Sequence, residues 1–110
     1  MVVARSHDGV SFETVTKISK DLMDVESLER PTLVRTPEGK WRLYLSCATT
    51  GTKHWRVEML EVDNPSQFKK STRKVVLPGD EDWGVKDTVI VLRDGLWHLW
   101  ATFHPLDVVE

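Results

Sequence analysis

Short segments rich in apolar and β-branched residues make up most of the chain, and turns rich in Gly, Pro and Asp separate them. WRLYLSCA, residues 41–48, has the composition of a β-strand. HWRVEMLEV, residues 54–62, alternates apolar and polar positions, and KVVLP, residues 74–78, is a shorter segment of the same kind. Only KDLMDVESLE, residues 20–29, has a helical composition, and we expect a turn or a short helix in a connection there. The pattern predicts an all-β fold.

The chain also contains an internal repeat. A gap-free shift of 56 positions lays RPTLVRTPEGKWRLYLS, residues 30–46, over KDTVIVLRDGLWHLWAT, residues 86–102. The identical pairs are Thr32 with Thr88, Gly39 with Gly95, Trp41 with Trp97, and Leu43 with Leu99. A unit with four short antiparallel strands is typical of a β-propeller blade, whose best-known repeat has ~40–45 residues. The repeat therefore predicts propeller blades of four antiparallel strands.

The repeat does not start at the first strand of a blade. We expect residues 1–28 to supply the two outer strands of one blade, residues 29–78 a complete blade, and residues 79–110 the two inner strands of the next. Each half-blade would expose unpaired backbone groups that invite pairing. We therefore expect half-blades of separate copies to pair and to close a ring with an even number of blades. The alternative is that the chain is a piece of a longer propeller.

Composition and charge exclude several kinds of partner. The chain has 15 basic and 17 acidic residues and a formal net charge of -2, which gives no electrostatic footprint for nucleic acid or an anionic membrane. No signal peptide and no run of about 18 apolar residues is found, so we expect a soluble, cytoplasmic protein. Cys47 is the only cysteine, which rules out an internal disulfide, and we expect it to be buried.

Charged residues open both predicted inner strands. Glu29 and Arg30 precede one of them, and Lys86 and Asp87 precede the other. In a propeller these strands begin at the central channel, so the four residues are candidates for a binding site. A structural role is the alternative, because Asp87 can pair with Lys86 or Arg30, and Glu29 can pair with Arg30.

Four of the tryptophans fall into two groups. Trp41 and Trp97 occupy equivalent positions of the repeat, and we expect both in the core between blades. Trp83 lies in the polar loop GDEDWG, and Trp55 ends the KHW of residues 53–55, so either can serve as a platform for a sugar ring. The histidines are too scattered for a metal-binding motif, and we expect neither a metal nor a cofactor.

Four segments of the chain carry a resemblance to a known family. They are ERPTLVRTPEGKWRLYLSCA, residues 29–48, KHW, residues 53–55, GVKDTVIV, residues 84–91, and WHLWATFHPL, residues 97–106. Together they resemble the five-bladed propeller glycosidases of glycoside hydrolase family 43 and their invertase-like relatives. In those enzymes three carboxylates line the funnel: an Asp base or nucleophile, an Asp in an R/K-D-P motif that tunes the acid, and a Glu that protonates the leaving group.

The resemblance implies roles for individual residues. Glu29 stands in E-R-P, similar to the E-C-P of invertases, which implies the proton donor, and Asp87 stands in K-D-T, one residue off the K-D-P pattern, which implies its orienting partner. The substrate-binding candidates are Arg30, Lys86, His54, Trp55, Trp83 and His104. The third acid has no counterpart and Glu29 precedes Asp87, against the usual order, so we expect a lone chain to be catalytically incomplete.

Three functions are compatible with the sequence. The first is a glycoside hydrolase-like propeller that hydrolyses, or formerly hydrolysed, an oligosaccharide. If copies assemble, recurring carboxylates can reach the ~6.5–9.5 Å separation that an inverting hydrolase needs. The second is a non-catalytic carbohydrate-binding propeller that uses Trp55, Trp83 and Arg30. The third is a module that only self-associates.

Overall fold

A computed structural model describes residues 1–50, 54–70 and 73–106 of the chain. The strands within those residues are β1 (Val2–Arg5), β2 (Glu13–Lys17), β3 (Ser27–Arg35), β4 (Trp41–Ala48), β5 (Trp55–Val62), β6 (Arg73–Leu77), β7 (Trp83–Arg93) and β8 (Leu96–Pro105). The helices are α1 (Lys20–Met23) and a 3-10 helix (Pro65–Lys70). The prediction of an all-β fold is therefore confirmed.

The described strands form three antiparallel sheets in chain order. A two-stranded sheet β1–β2 is followed by a four-stranded sheet β3–β4–β5–β6 and a two-stranded sheet β7–β8. Within each sheet every strand pairs with its neighbour along the chain, so the topology has no crossovers. Because β3 starts at Ser27, the four-stranded sheet begins two residues before the expected boundary at residue 29.

The segment of helical composition is only partly helical. Ser19 caps α1 by accepting a hydrogen bond from the backbone N–H of Leu22, and Asp24 ends the helix in the left-handed conformation. Residues 27–29 belong to β3, because they pair with residues 46–48 of β4. The expectation of a connection over 20–29 is therefore wrong for its last three residues, where pairing with β4 overrides local propensity.

The four-stranded sheet lies between the other two sheets. Its β4 residues alternate between the faces of the sheet, so that Leu43 and Leu45 face one side and Tyr44 faces the other. The first core cluster contains Val3, Ile18, Met23, Val25, Leu43, Leu45, Cys47, Leu60, Val62 and Phe68. The second core cluster contains Tyr44, Val57, Val85 and Ile90. Because both faces of β4 are covered, its apolar residues are continuous rather than alternating.

Strand β8 is rich in apolar residues, as β4 is, but it lies in a different environment. Most of its residues are exposed, because β7–β8 contacts the four-stranded sheet with one face only. The expectation that Trp97 lies in the core is wrong, since 39% of it is exposed and the Arg42 guanidinium lies 5.0 Å from its ring centroid. Trp41 is half-buried and packs against the first core cluster, as expected.

The hairpins β3–β4 and β7–β8 are structurally equivalent, but their first strands match with a shift of 57 positions rather than 56. In each hairpin the first strand contains a β-bulge with one residue at positive φ, Arg30 at 48° in β3 and Asp87 at 59° in β7. These residues are 57 positions apart, whereas Trp41 and Trp97 in the second strands are 56 apart. The turn between β3 and β4 is longer by one residue, and the gap-free match is therefore wrong by one position throughout the first strand.

The corrected correspondence changes which charged residues are equivalent. Glu29 pairs with Ser46 before one bulge, and Lys86 pairs with Thr102 before the other, so Glu29 and Lys86 are counterparts. The residues that follow them, Arg30 and Asp87, are also counterparts. Equivalent positions of the two hairpins thus carry opposite charges.

Candidate functional site

The bulges of β3 and β7 lie next to each other. The Thr32 hydroxyl donates a hydrogen bond of 2.9 Å to the backbone carbonyl of Thr88, and the backbone N–H of Asp87 donates one of 2.9 Å to the hydroxyl of the fully buried Ser46. Residues at positive φ other than Gly are uncommon, and bulges redirect the side chains that they carry. We call Glu29, Arg30, Lys86 and Asp87 the bulge cluster.

The charges of the bulge cluster pair across the two strands. Oε2 of Glu29 is 3.9 Å from Nζ of Lys86, and Nε of Arg30 is 3.9 Å from Oδ1 of Asp87. The expected pair of Asp87 with Arg30 is present, but Glu29 faces Lys86 rather than Arg30. Both distances are long, and 73% of the Arg30 side chain is exposed. Ion pairs of this kind contribute about 0–1 kcal/mol, so a ligand can displace them at little cost.

Asp87 has unused capacity for hydrogen bonding. Its Oδ1 is buried and has no hydrogen-bond partner among the described residues, although 30% of the side chain as a whole is exposed. A buried acceptor without a partner costs about 1–3 kcal/mol. A ligand would meet the exposed part of the Asp87 side chain first, and a ligand hydroxyl would recover part of that free energy only after the groups that cover Oδ1 had moved.

Trp55 is joined to the bulge cluster by Lys86. The Lys86 ammonium lies 4.7 Å from the Trp55 ring centroid, within the range of a cation–π interaction. One face of this indole is therefore covered by a cation, and a ligand on that face would meet Lys86 and Trp55 together. Lys53, which precedes His54 in the KHW motif, lies outside the described residues.

The other three candidates, His54, Trp83 and His104, surround two glycines. A Cβ added at Gly79 would lie 2.7 Å from the Trp83 carbonyl oxygen and 3.3 Å from Nε2 of His54. A Cβ added at Gly84 would lie 2.8 Å from Nε2 of His104. Nε2 of His54 is also 2.9 Å from the Pro78 carbonyl oxygen.

The contacts link all the sequence-predicted site residues into one region. Gly84 also approaches the backbone nitrogen of Trp55, at 3.3 Å from its added Cβ, which connects His104 to Trp55 and hence to Lys86. Trp83, which was expected in a loop, is the first residue of β7 and is 45% exposed. Sequence reasoning missed Ser46, Gly79 and Gly84, and only the glycines in GDEDWG gave a signal for close backbone approach.

A second charged cluster lies inside the protein and was also missed. The Glu58 side chain is 3% exposed, with Oε2 at 2.9 Å from Nη2 of Arg56 and Oε1 at 3.4 Å from Nε of Arg73. Arg73 also donates to the Met23 carbonyl, which ties β6 to the end of α1. The alternation of β5 was the available signal, because it places Glu58 on the apolar face that carries Leu60.

Cys47 is buried beside this internal cluster. Burial, and secondarily the charge of Glu58, raises the pKa of the Cys47 thiol to about 12. A thiol with so high a pKa is almost entirely protonated at neutral pH, and a protonated thiol is neither a nucleophile nor a metal ligand. Cys47 is therefore part of the core, as expected, rather than of the site.

One cavity lies apart from the candidate residues. A cavity of about 610 Å³ at the β1–β2 turn is lined by Arg5, Ser6, His7, Ser11, Phe12 and Glu13, none of which was predicted to bind a ligand.

Within residues 1–50, 54–70 and 73–106, no group of three or more His, Cys, Asp or Glu side chains is arranged to hold a metal ion. In the same residues, neither helix has the length or hydropathy to cross a membrane.

Comparison of the chain with protein-family models, with curated proteins and with solved structures found no match. Function is therefore inferred from the described residues alone.

Proposed function

We propose that this chain is part of a β-propeller that binds an oligosaccharide at the bulge cluster. The observation that carries the proposal is the convergence of the bulge cluster, at two neighbouring strand bulges, with the indole of Trp55. Two separate arguments support it, one from the arrangement of the sheets and one from the chemistry of the site.

The arrangement of the sheets suits a propeller. A propeller repeats four-stranded antiparallel sheets around a central channel, and the first strands of successive sheets adjoin each other there. In this chain a four-stranded meander is flanked on both faces by two-stranded sheets. The first strands β3 and β7 are in contact through the hydrogen bond from Thr32 to Thr88.

The chemistry of the site suits an uncharged, polyhydroxylated ligand. The bulge cluster holds two carboxylates and two cations, so its net charge is zero and it offers both hydrogen-bond acceptors and donors. A strongly anionic or cationic ligand would be attracted by one member of each pair and repelled by the other member. The half-buried Trp55 next to Lys86 adds the apolar surface that ligand sites combine with a few placed polar groups.

Hydrolysis is the second candidate function, and the presence of two carboxylates on neighbouring bulges favours it. A glycosidase holds its two carboxyl groups roughly 5–9.5 Å apart, the smaller value for retention and the larger for inversion. In this reading Glu29 protonates the leaving group, Asp87 orients the Glu29 carboxyl group, and a carboxylate from another copy would have to serve as the base or nucleophile. Turnover of chromogenic arabinosides, xylosides or fructosides that is lost in Glu29→Gln, with binding retained, would favour hydrolysis over binding alone.

The test of the binding proposal is the substitution Asp87→Asn. We expect it to weaken binding of the best oligosaccharide from a glycan array by about 10-fold or more in calorimetry, because a hydrogen bond to a charged group contributes about 1.5–3 kcal/mol. Asn adopts positive φ almost as readily as Asp, so the backbone of the bulge is retained.

Asp94→Asn is the matched control for this experiment. Asp94 also has a positive φ, 51°, but it lies in the turn between β7 and β8, outside the bulge cluster. Its substitution should leave binding unchanged. Equal affinities for the parent, Asp87→Asn and Asp94→Asn would remove the bulge cluster from the site, and no binding by the parent would remove the proposed function.

A further inference from the structure

Strand β8 is a long apolar strand with an open edge. It pairs with β7 on one side, and none of the described strands pairs with its other side. Leu96, Trp100 and Phe103 are each more than half exposed on this strand. An exposed apolar edge of this length readily pairs with another strand, and natural proteins normally cover or interrupt such edges.

One face of β7–β8 is also uncovered. Val89 pairs with Trp100, and Val91 pairs with His98, so these side chains share the face opposite to Ile90 of the second core cluster. Val89 is 57% exposed and Trp100 59% exposed. We call Val89, Val91, His98 and Trp100 the outer face.

In the four-stranded sheet β3–β4–β5–β6, the face equivalent to the outer face is covered by the neighbouring sheet β7–β8. Trp100 corresponds to Tyr44 of β4, and Tyr44 is only 6% exposed because β7–β8 packs over it. Ile90, on the sheet that covers Tyr44, is 7% exposed and corresponds to Leu33 of β3. Leu33 itself is 43% exposed. Each exposed residue, Trp100 and Leu33, therefore has a buried counterpart, and the two counterparts belong to one core cluster.

The chain also contains the strands that would complete β7–β8. In the four-stranded sheet, β4 pairs with β5, and the outer half β5–β6 has a bulge between Val57 and Glu58. The pair β1–β2 has a bulge of the same kind between Val3 and Ala4, and Val3, like Val57, is buried in a cluster between sheets. The open edge of β1 is therefore the natural partner for the open edge of β8.

We infer that β8 pairs in antiparallel fashion with β1 of a second copy of this chain, and that Trp100 packs against Leu33 of that copy as Tyr44 packs near Ile90. The inference rests on the proposed propeller arrangement, to which it adds the partner. Each such junction makes a complete four-stranded sheet, β7–β8–β1–β2, from two copies. It also places a second bulge cluster on the next copy around the ring.

The mass of the protein in solution tests this inference. The parent chain should sediment at a multiple of 12.6 kDa, at least twice that value. Trp100→Glu and Leu33→Glu should each reduce the mass to that of one chain, with an unchanged circular dichroism spectrum, because both side chains are exposed in a single copy. Val10→Glu is the control, since Val10 is 81% exposed in the β1–β2 turn and should leave the mass unchanged.

A charge rescue separates this contact from nonspecific association. The double variant Trp100→Lys with Leu33→Glu should assemble again, because the two new charges meet across the junction. A parent chain that sediments as one copy overturns the inference, and so does a double variant that stays monomeric when both single variants are monomeric. Glycan binding is measured separately: a monomer that binds sugar defeats only the junction, and an assembly that binds none defeats only the proposed function.

Discussion

Replacing Glu58 by alanine should lower the free energy of unfolding by about 3–5 kcal/mol, because it leaves the arginines around a buried carboxylate without their counter-charge. The Glu58 side chain is 3% exposed, and the Arg56 side chain next to it is 19% exposed. Folded domains have a total stability of about 5–15 kcal/mol, so this single substitution should remove a large part of it. We also expect the end of α1 to loosen, since Arg73 would lose the carboxylate that orients it towards Met23.

Urea denaturation of Glu58→Ala and Glu61→Ala would check this result. Glu61 lies on the same strand and pairs with Arg42 at a shorter distance, 2.7 Å, but 32% of its side chain is exposed. A partly exposed pair contributes about 0–1 kcal/mol, so Glu61→Ala should have a small effect despite its better geometry. Similar losses of stability in the two variants would contradict the role that we give to burial.

The strands of this fold could be predicted from sequence because their signals are local. The run in β4 is apolar throughout, which is what a strand covered on both faces requires. The entry into β3 could not be predicted, because residues 27–29 have a helical composition and are held as strand only by β4, about twenty positions further along the chain. Trp97 was misplaced for a related reason: its counterpart Trp41 packs against the first core cluster, whereas the adjacent sheet offers Trp97 the charged guanidinium of Arg42.

The site was predictable in its members but not in its pairing. The charged residues were expected at the start of both repeated strands, and that position singled them out, although the structure places them inside β3 and β7. Which cation meets which carboxylate depends on the register of the paired strands. The turn between β3 and β4 is one residue longer than the turn between β7 and β8, so the first strands of the two hairpins are offset by one residue. A gap-free comparison of the repeats does not show this offset. A one-residue shift reassigns every side chain of a strand to the other face, so the shift decides the chemistry of the site.

The opposite charges at equivalent positions have a physical consequence for the repeat. If both bulges carried the same residues, each contact between neighbouring sheets would bring like charges together. With Glu29 opposite Lys86 and Arg30 opposite Asp87, the contact between β3 and β7 is attractive. The departure from the repeat at these positions therefore supports the packing of the sheets and at the same time keeps the site neutral.

The substitution Gly79→Ala should destabilise the fold by about 2–5 kcal/mol and displace Trp83. Gly79 has a φ of 65°, where a side chain costs about 1–2 kcal/mol. Its added Cβ would also lie 2.7 Å from the Trp83 carbonyl oxygen, which accepts a hydrogen bond from the backbone of Asp80. Overpacking of this kind adds about 1–3 kcal/mol, and the carbonyl is backbone that cannot rotate away.

Gly95→Ala separates the two contributions to this effect. Gly95 has a similar φ, 76°, but an added Cβ there meets nothing within 4 Å among the described residues. It should therefore show only the conformational cost of about 1–2 kcal/mol. Urea denaturation gives both values, and tryptophan fluorescence of the native state should shift in Gly79→Ala alone. If the two variants were equally stable and equally fluorescent, the close approach at Gly79 would not be what holds Trp83 in place.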